Sequence, residues 1–173
     1  MYYGEDGELC ELNSGYSGWS FEYNEMGEFI KQSYFGIDMK PTTDNNNVCS
    51  YIVERDIRGN ITKMLCYNEK GELTLNGDGI AITEYEYDDN GNEICRRFFD
   101  KNNKQTKGYL GYAKITYTYD DKGHMLSERY YDTKNNLVLV NGIAGNNYKR
   151  DKRGNVIEEF PIGLDQKIAY NKL

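Results

Sequence analysis

Residues 87–99 read YDDNGNEICRRFF, and residues 119–131 read YDDKGHMLSERYY. Both segments open on Tyr-Asp, reach a glycine four residues after the tyrosine and close on two aromatic rings. The glycines, Gly91 and Gly123, stand 32 residues apart. The same step leads back to Gly59 and Gly27, and Gly154 follows after 31. Self-similarity at a fixed period is the mark of a repeat architecture.

Two further landmarks keep this register. An aromatic pair, or its remnant, occurs as Tyr2-Tyr3, Tyr34-Phe35, Cys66-Tyr67, Phe98-Phe99 and Tyr130-Tyr131. A small-residue patch occurs as Gly15-Tyr16-Ser17, Asn47-Val48-Cys49, Gly79-Ile80-Ala81, Gly111-Tyr112-Ala113 and, one residue early, Gly142-Ile143-Ala144. One deletion explains both the early patch and the shortened last step.

Inside each unit the period is two. Alternate positions before the glycine hold Trp19/Phe21/Tyr23, Tyr51/Val53/Arg55, Thr83/Tyr85/Tyr87, Ile115/Tyr117/Tyr119 and Asn146/Tyr148/Arg150, with mostly polar residues such as Glu84, Glu86, Thr116 and Thr118 between them. That alternation predicts strands with one face buried and one solvated. Asn90-Gly91 and its equivalents then supply hairpin turns. The fold class expected is all-β: a repetitive array of stacked antiparallel hairpins, solenoid-like or an open twisted sheet, with a 32-residue period. Hairpins should begin near residues 19, 51, 83, 115 and 146. The array then divides into a half-unit 1–18, units 19–50, 51–82, 83–114 and 115–145, and a last unit with its C-terminal cap, 146–173. Stacking is needed because a lone hairpin is marginal in water.

Composition agrees. Tyrosine supplies 17 residues and glycine 18, with 19 Asn, two Pro and four Ala among the 173. Tyr favours pleated surfaces and Gly/Asn favour turns, whereas Ala is the strongest helix former. The net charge is −7, from 28 acidic and 21 basic residues, the wrong sign for gripping nucleic-acid phosphates. No apolar run approaches the ~20 residues of a membrane span, and no signal peptide is legible in this chain. A cell-surface or secreted setting is expected if the chain belongs to a larger protein, and a cytoplasmic one otherwise. The chain opens partway through a unit, at Tyr2-Tyr3, which suggests an excised piece of a longer protein or a dimer that covers the first unit. Unpaired terminal strands invite end-to-end association, so an end-to-end homodimer is expected.

The units resemble bacterial YD-type repeats, the class that includes rearrangement-hotspot (Rhs) proteins. They are closer still to a longer repeat of uncharacterised bacterial proteins, matched by Gly111-Tyr112-Ala113 and by Tyr34-Phe35-Gly36-Ile37-Asp38-Met39-Lys40-Pro41. The resemblance implies stacked hairpins within large surface or secreted proteins and no shared catalytic set. Arg55 and Arg150 depart from it by occupying the tyrosine slot of the Tyr-Asp motif.

Catalytic and cofactor signatures are sparse, so neither enzyme activity nor a cofactor or metal is expected. His124 is the only histidine and sits where Asn60, Asn92 and Asn155 sit, a turn-filling position. Cys10, Cys49, Cys66 and Cys95 form no C-x-x-C pair; Cys49 sits where Ser17, Ala81 and Ala113 sit and Cys66 where Tyr34, Phe98 and Tyr130 sit, so the cysteines read as small buried hydrophobes. The acidic turns at Asp88-Asp89 and Asp120-Asp121 offer hard oxygen ligands, but the EF-hand spacing fails. An enzyme would need carboxylates such as Glu84 and Asp88 facing each other in a cleft. The expected function is a non-enzymatic spacer or protein-interaction surface. The alternative is a carbohydrate- or cell-wall-binding module that uses the tyrosine rows. Tyr16, Tyr109 and Tyr112, in and beside the small-residue patches, are the candidate binding residues.

Overall fold

A computed structural model describes residues 1–169. It contains ten strands: β1 (Gly18–Tyr23), β2 (Phe29–Phe35), β3 (Ser50–Arg55), β4 (Ile61–Tyr67), β5 (Ile82–Tyr87), β6 (Glu93–Phe99), β7 (Lys114–Tyr119), β8 (Met125–Tyr131), β9 (Gly145–Arg150) and β10 (Val156–Ile162). They form one open antiparallel sheet in which spatial order equals chain order. First strands begin at residues 18, 50, 82, 114 and 145, so the 32-residue step and its single shortening are carried by the backbone. Contacts divide the chain into two compact units. The first is Met1–Glu84 with Phe99–Lys104, and the second is Tyr85–Phe98 with the chain from Gln105 onward. The final residues of the expected cap, 170–173, lie outside the described residues.

Each hairpin turn is built by the same four bonds. In residues 88–92, Gly91 N donates to Asp88 O, Asp88 N donates to Asn92 O, and Asp88 Oδ1 accepts from the amides of Asn90 and Asn92. Gly91 stands at φ 84°, the left-handed region that glycine enters without strain. This is the three-residue loop with a bulge favoured between antiparallel strands.

The small-residue patch is the seam between consecutive hairpins. Within the first unit, Cys49 N donates to Tyr67 O of the following hairpin while Cys49 O accepts from Tyr34 N of the preceding one. Within the second, Ala113 makes the same pair with Tyr131 O and Phe98 N. Ser17, Cys49, Ala81, Ala113 and Ala144 are all 5% exposed or less. Larger side chains would force these backbones apart, which explains why the slot holds only Ser, Cys or Ala. Ser17 Oγ is the one buried polar side-chain atom without a partner among the described residues.

Registers assign the two faces. Trp19, Phe21, Gln32, Tyr34, Tyr51, Val53, Met64 and Cys66 share one face, through pairs such as Trp19↔Tyr34, Phe21↔Gln32, Gln32↔Tyr51 and Tyr51↔Cys66. The opposite face is laced with ion pairs, Lys31–Glu22 at 2.7 Å and the half-buried Lys63–Glu84 at 3.2 Å among them. Each is worth under ~1 kcal/mol and mainly keeps that face wet. The aromatic face is less covered than the alternation predicts. Tyr34, Val53, Cys66, Phe98 and Ile115 are buried, whereas Trp19, Phe21 and Tyr23 of β1 are exposed. The reason is positional: β1 pairs only with β2, so no preceding hairpin lies against its outer side.

Candidate interaction surface

The tyrosine slot of the Tyr-Asp motif has one structural job in the hairpins where its bonds are resolved. Tyr119 Oη donates to Glu93 O at 2.8 Å, 26 residues earlier, at the start of the preceding hairpin's second strand. Arg55 donates from Nε and Nη2 to Phe29 O, also 26 residues earlier, and from Nη1 to Gly59 O in its own turn. Arg150 donates to Met125 O and Gly154 O, each at 2.8 Å. The arginines therefore keep the role of the tyrosine and add a second bond. What the slot requires is a long side chain with a terminal donor.

The turns also stack. A Cβ on Gly59 would run into the Glu28 carboxylate, one on Gly123 into the Asn92 amide at 3.1 Å, and one on Gly154 into the His124 ring. His124 imitates an asparagine: its amide donates to Asp120 Oδ1 at 2.9 Å and its Nδ1 lies 3.0 Å from Asp120 Oδ2. Asn92 contacts Asp88 in the same way. The hydrogen bond from His124 holds the Asp120 carboxyl well below the usual range, at about 2.

Tyr16, in the first unit, stacks on Tyr34 at 4.6 Å and meets Trp19 edge-on at 6.2 Å. Tyr112, in the second, lies between Phe98 at 5.5 Å and Tyr130 at 5.1 Å. Both rings are half-buried links in inter-hairpin aromatic piles. Tyr109 alone of the three is fully exposed, at 83%, on the turn closed by Gly111 N and Gly108 O.

Sequence reasoning did not single out the slot shared by Gln32, Met64, Arg96, Glu128 and Glu159, polar in most copies yet set among rings. In the first unit Gln32 joins Phe29, Tyr51, Met64, Asn46, Asn76 and Asp78 around a groove of about 380 Å³. The Gln32 side chain faces this groove beside the Tyr51 ring. Burial first, then the Asp44 carboxylate, pushes the Tyr51 phenol upward and keeps it protonated. In the second unit Glu128 Oε1 accepts from Tyr130 Oη at 2.8 Å, Asn146 Nδ2 at 3.0 Å and Tyr148 Oη at 3.2 Å, a satisfied network rather than an open site. Arg96 grips Glu93 through two 2.9 Å bonds and covers the Tyr85 ring at 5.2 Å. The signal that could have found this slot is its polarity at a fixed step on an otherwise apolar face.

Glu84 is held by Lys63, and Asp88 by the amides of its own turn. Cys49, Cys66 and Cys95 are buried free thiols, Cys10 is half-buried, and burial raises Cys66 to about 12. No group of three or more His, Cys, Asp or Glu suited to a metal ion occurs among the described residues. No helix among them is long and apolar enough to cross a membrane.

No family model matches the sequence, and no curated protein matches it. Solved structures do. A chain of the Photorhabdus luminescens Tc holotoxin pore is 15% identical, with a TM-score of 0.54 over 87% of this chain and 7% of its own length. A chain in the crystal structure of TcdB2-TccC3-Cdc42 is 14% identical, with a TM-score of 0.44 over 89% of this chain and 9% of its own. The chain thus spans under a tenth of each of these two solved chains, and what it shares with the holotoxin component is a β-rich fold.

Proposed function

We propose that the chain is a non-enzymatic, Rhs-like β-hairpin repeat module, of the YD type, that serves as a structural spacer or protein-interaction surface within a larger bacterial protein. The observation that supports this reading is the employment of its reactive-looking side chains. The Tyr-Asp slot ties hairpin to hairpin through Tyr119, Arg55 and Arg150, the turn carboxylates cap their own loops, and His124 fills an asparagine position. The likeness to a stretch of a Tc holotoxin component supports the Rhs-like assignment. The test is a pull-down with the immobilised chain from lysate of the source organism at several salt concentrations. A protein retained at physiological salt and released by excess free chain is expected; no such protein at any salt overturns the interaction role.

The groove around Gln32 favours a second reading, glycan binding, because aromatic faces beside amides suit sugar rings. A glycan array with Gln32→Ala and Tyr51→Ala controls separates the two. Binding lost in both variants would favour the sugar, and a blank array removes it.

A further inference from the structure

The slot shared by Gln32, Met64 and Arg96 has a different occupant in each copy, and the copy that holds a cation shows what the others lack. In the second unit the Arg96 guanidinium lies 5.2 Å over the Tyr85 ring and grips both carboxylate oxygens of Glu93 at 2.9 Å. A ring beneath and a carboxylate beside are what hold a planar cation. In the first unit the slot holds the neutral Gln32 and Met64, and both line one groove. Phe29 and Tyr51 supply rings to that groove and Asp78 supplies a carboxylate. None of the residues lining it is basic. Phe29 already carries a cation, Arg55 at 5.1 Å, which donates to Phe29 O and Gly59 O. The ring and carboxylate that match Tyr85 and Glu93 in kind are therefore Tyr51 and Asp78.

The rim is built in advance. Asn76 Oδ1 accepts from Asp78 N and Ile80 N, each at 3.0 Å, which fixes the loop bearing Asp78. A Cβ on Gly77 would lie 3.0 Å from Asn46 Oδ1, so the loops 44–48 and 76–80 pack closely. Asn46 Nδ2 donates to Asp44 Oδ2 at 3.2 Å and brings a second carboxylate to the same rim. The net charge of −7 adds a longer-range pull on a cation.

We propose that this groove binds an arginine side chain of a partner protein, with the guanidinium stacked on Tyr51 and paired with Asp78. The proposal rests on the reading of the chain as a protein-interaction surface and names the chemistry that surface takes. Arginine suits it better than lysine because a planar guanidinium stacks and pairs at once. A neutral sugar would use the rings and amides but not the charge.

Fluorescence anisotropy of the full chain tests it, with a labelled pentapeptide carrying one central arginine. The same peptide with citrulline, a neutral isostere, is the control, and free N-acetylglucosamine is the sugar probe. The arginine peptide should bind about tenfold tighter than the citrulline peptide. Asp78→Asn and Tyr51→Leu should each weaken it roughly tenfold. Asp121→Asn, which removes the same charge from the second unit, should leave it unchanged. Asp78→Asn keeps the amide that bonds Asn76, so an unchanged circular-dichroism spectrum is expected and this variant decides the matter if Tyr51→Leu does not fold. Equal affinity for the two peptides overturns the proposal, as does no binding at millimolar peptide or an equal loss in Asp78→Asn and Asp121→Asn. Binding of the sugar without the arginine peptide overturns it in favour of a glycan. A protein retained equally by the wild-type and Asp78→Asn chains in the pull-down also overturns this site, while leaving the interaction role standing.

Discussion

The phenol of Tyr119 donates to the main-chain carbonyl of Glu93, and the guanidinium of Arg150 donates to that of Met125, the equivalent carbonyl one hairpin later. Two unlike side chains thus fasten successive hairpins by one bond. Tyr119→Phe removes the donor and leaves the Glu93 carbonyl to find water, at a cost of about 1 kcal/mol. Tyr119→Arg should cost less, since arginine already serves this slot at 55 and 150. Urea unfolding of the three proteins decides it, and equal losses in both variants would refute the donor role.

Ser17 occupies a seam position filled elsewhere by Cys or Ala, and its hydroxyl has no partner. Ser17→Ala should raise stability by roughly 1 kcal/mol, because it removes a buried unsatisfied group without leaving a large cavity. A lowered melting temperature would contradict this.

Gly154 and Gly71 both stand at positive φ, 87° and 74°, but differ in surroundings. A Cβ on Gly71 meets nothing within 4 Å, while one on Gly154 meets the His124 ring. Gly71→Ala should therefore cost only backbone strain, about 1–2 kcal/mol. Gly154→Ala should cost more, and His124→Gly should recover the excess. Calorimetry on the two single variants and the Gly154→Ala/His124→Gly double variant tests the ordering.

Asp120 is held at about 2 against an ordinary 3.8, chiefly by the hydrogen bond from His124. Hydrogen bonds within the turns also lower Asp56, Asp100, Asp132 and Asp151. A depressed carboxyl stabilises the folded state fully above its unfolded value, and that stabilisation disappears as pH falls through the folded value. Melting temperature should thus be level above pH ~4 and decline between ~4 and ~2, with a shallower decline in Asp120→Asn. A flat profile over that range would exclude the turns as the acid-sensitive element.

Of the four cysteines, three are buried and Cys10 is half-buried. Burial also raises Cys49, Cys66 and Cys95, so little thiolate is present at neutral pH. A thiol reagent should modify one group quickly in the folded protein and four after denaturation. Fast reaction at two or more sites would show that the seam opens readily.

Turns and strands were legible because their requirements are local. Gly91 and Gly123 announce left-handed loops, and alternation through Tyr85 and Tyr87 announces a pleat. Ring direction outside the strands was not legible. Tyr16 and Tyr112 lie in the patches, where no period of two applies, and their stacking on Tyr34 and on Phe98 and Tyr130 depends on the neighbouring hairpin. Arg55 and Arg150 read as departures for the same reason: sequence displays side-chain type, whereas the slot selects reach and a donor.

The last small-residue patch arrives early because its turn is tighter. Val140 and Ile143 exchange amide bonds across Asn141-Gly142, with φ of 51° and 88°, where Asp44 to Val48 make a longer loop. Losing a codon at this corner leaves every later side chain on its proper side. The same loss inside a strand would turn the ion-paired side chains towards the rings. Lineages of such arrays should therefore vary in length by single residues at their corners, while the strands between keep a constant count.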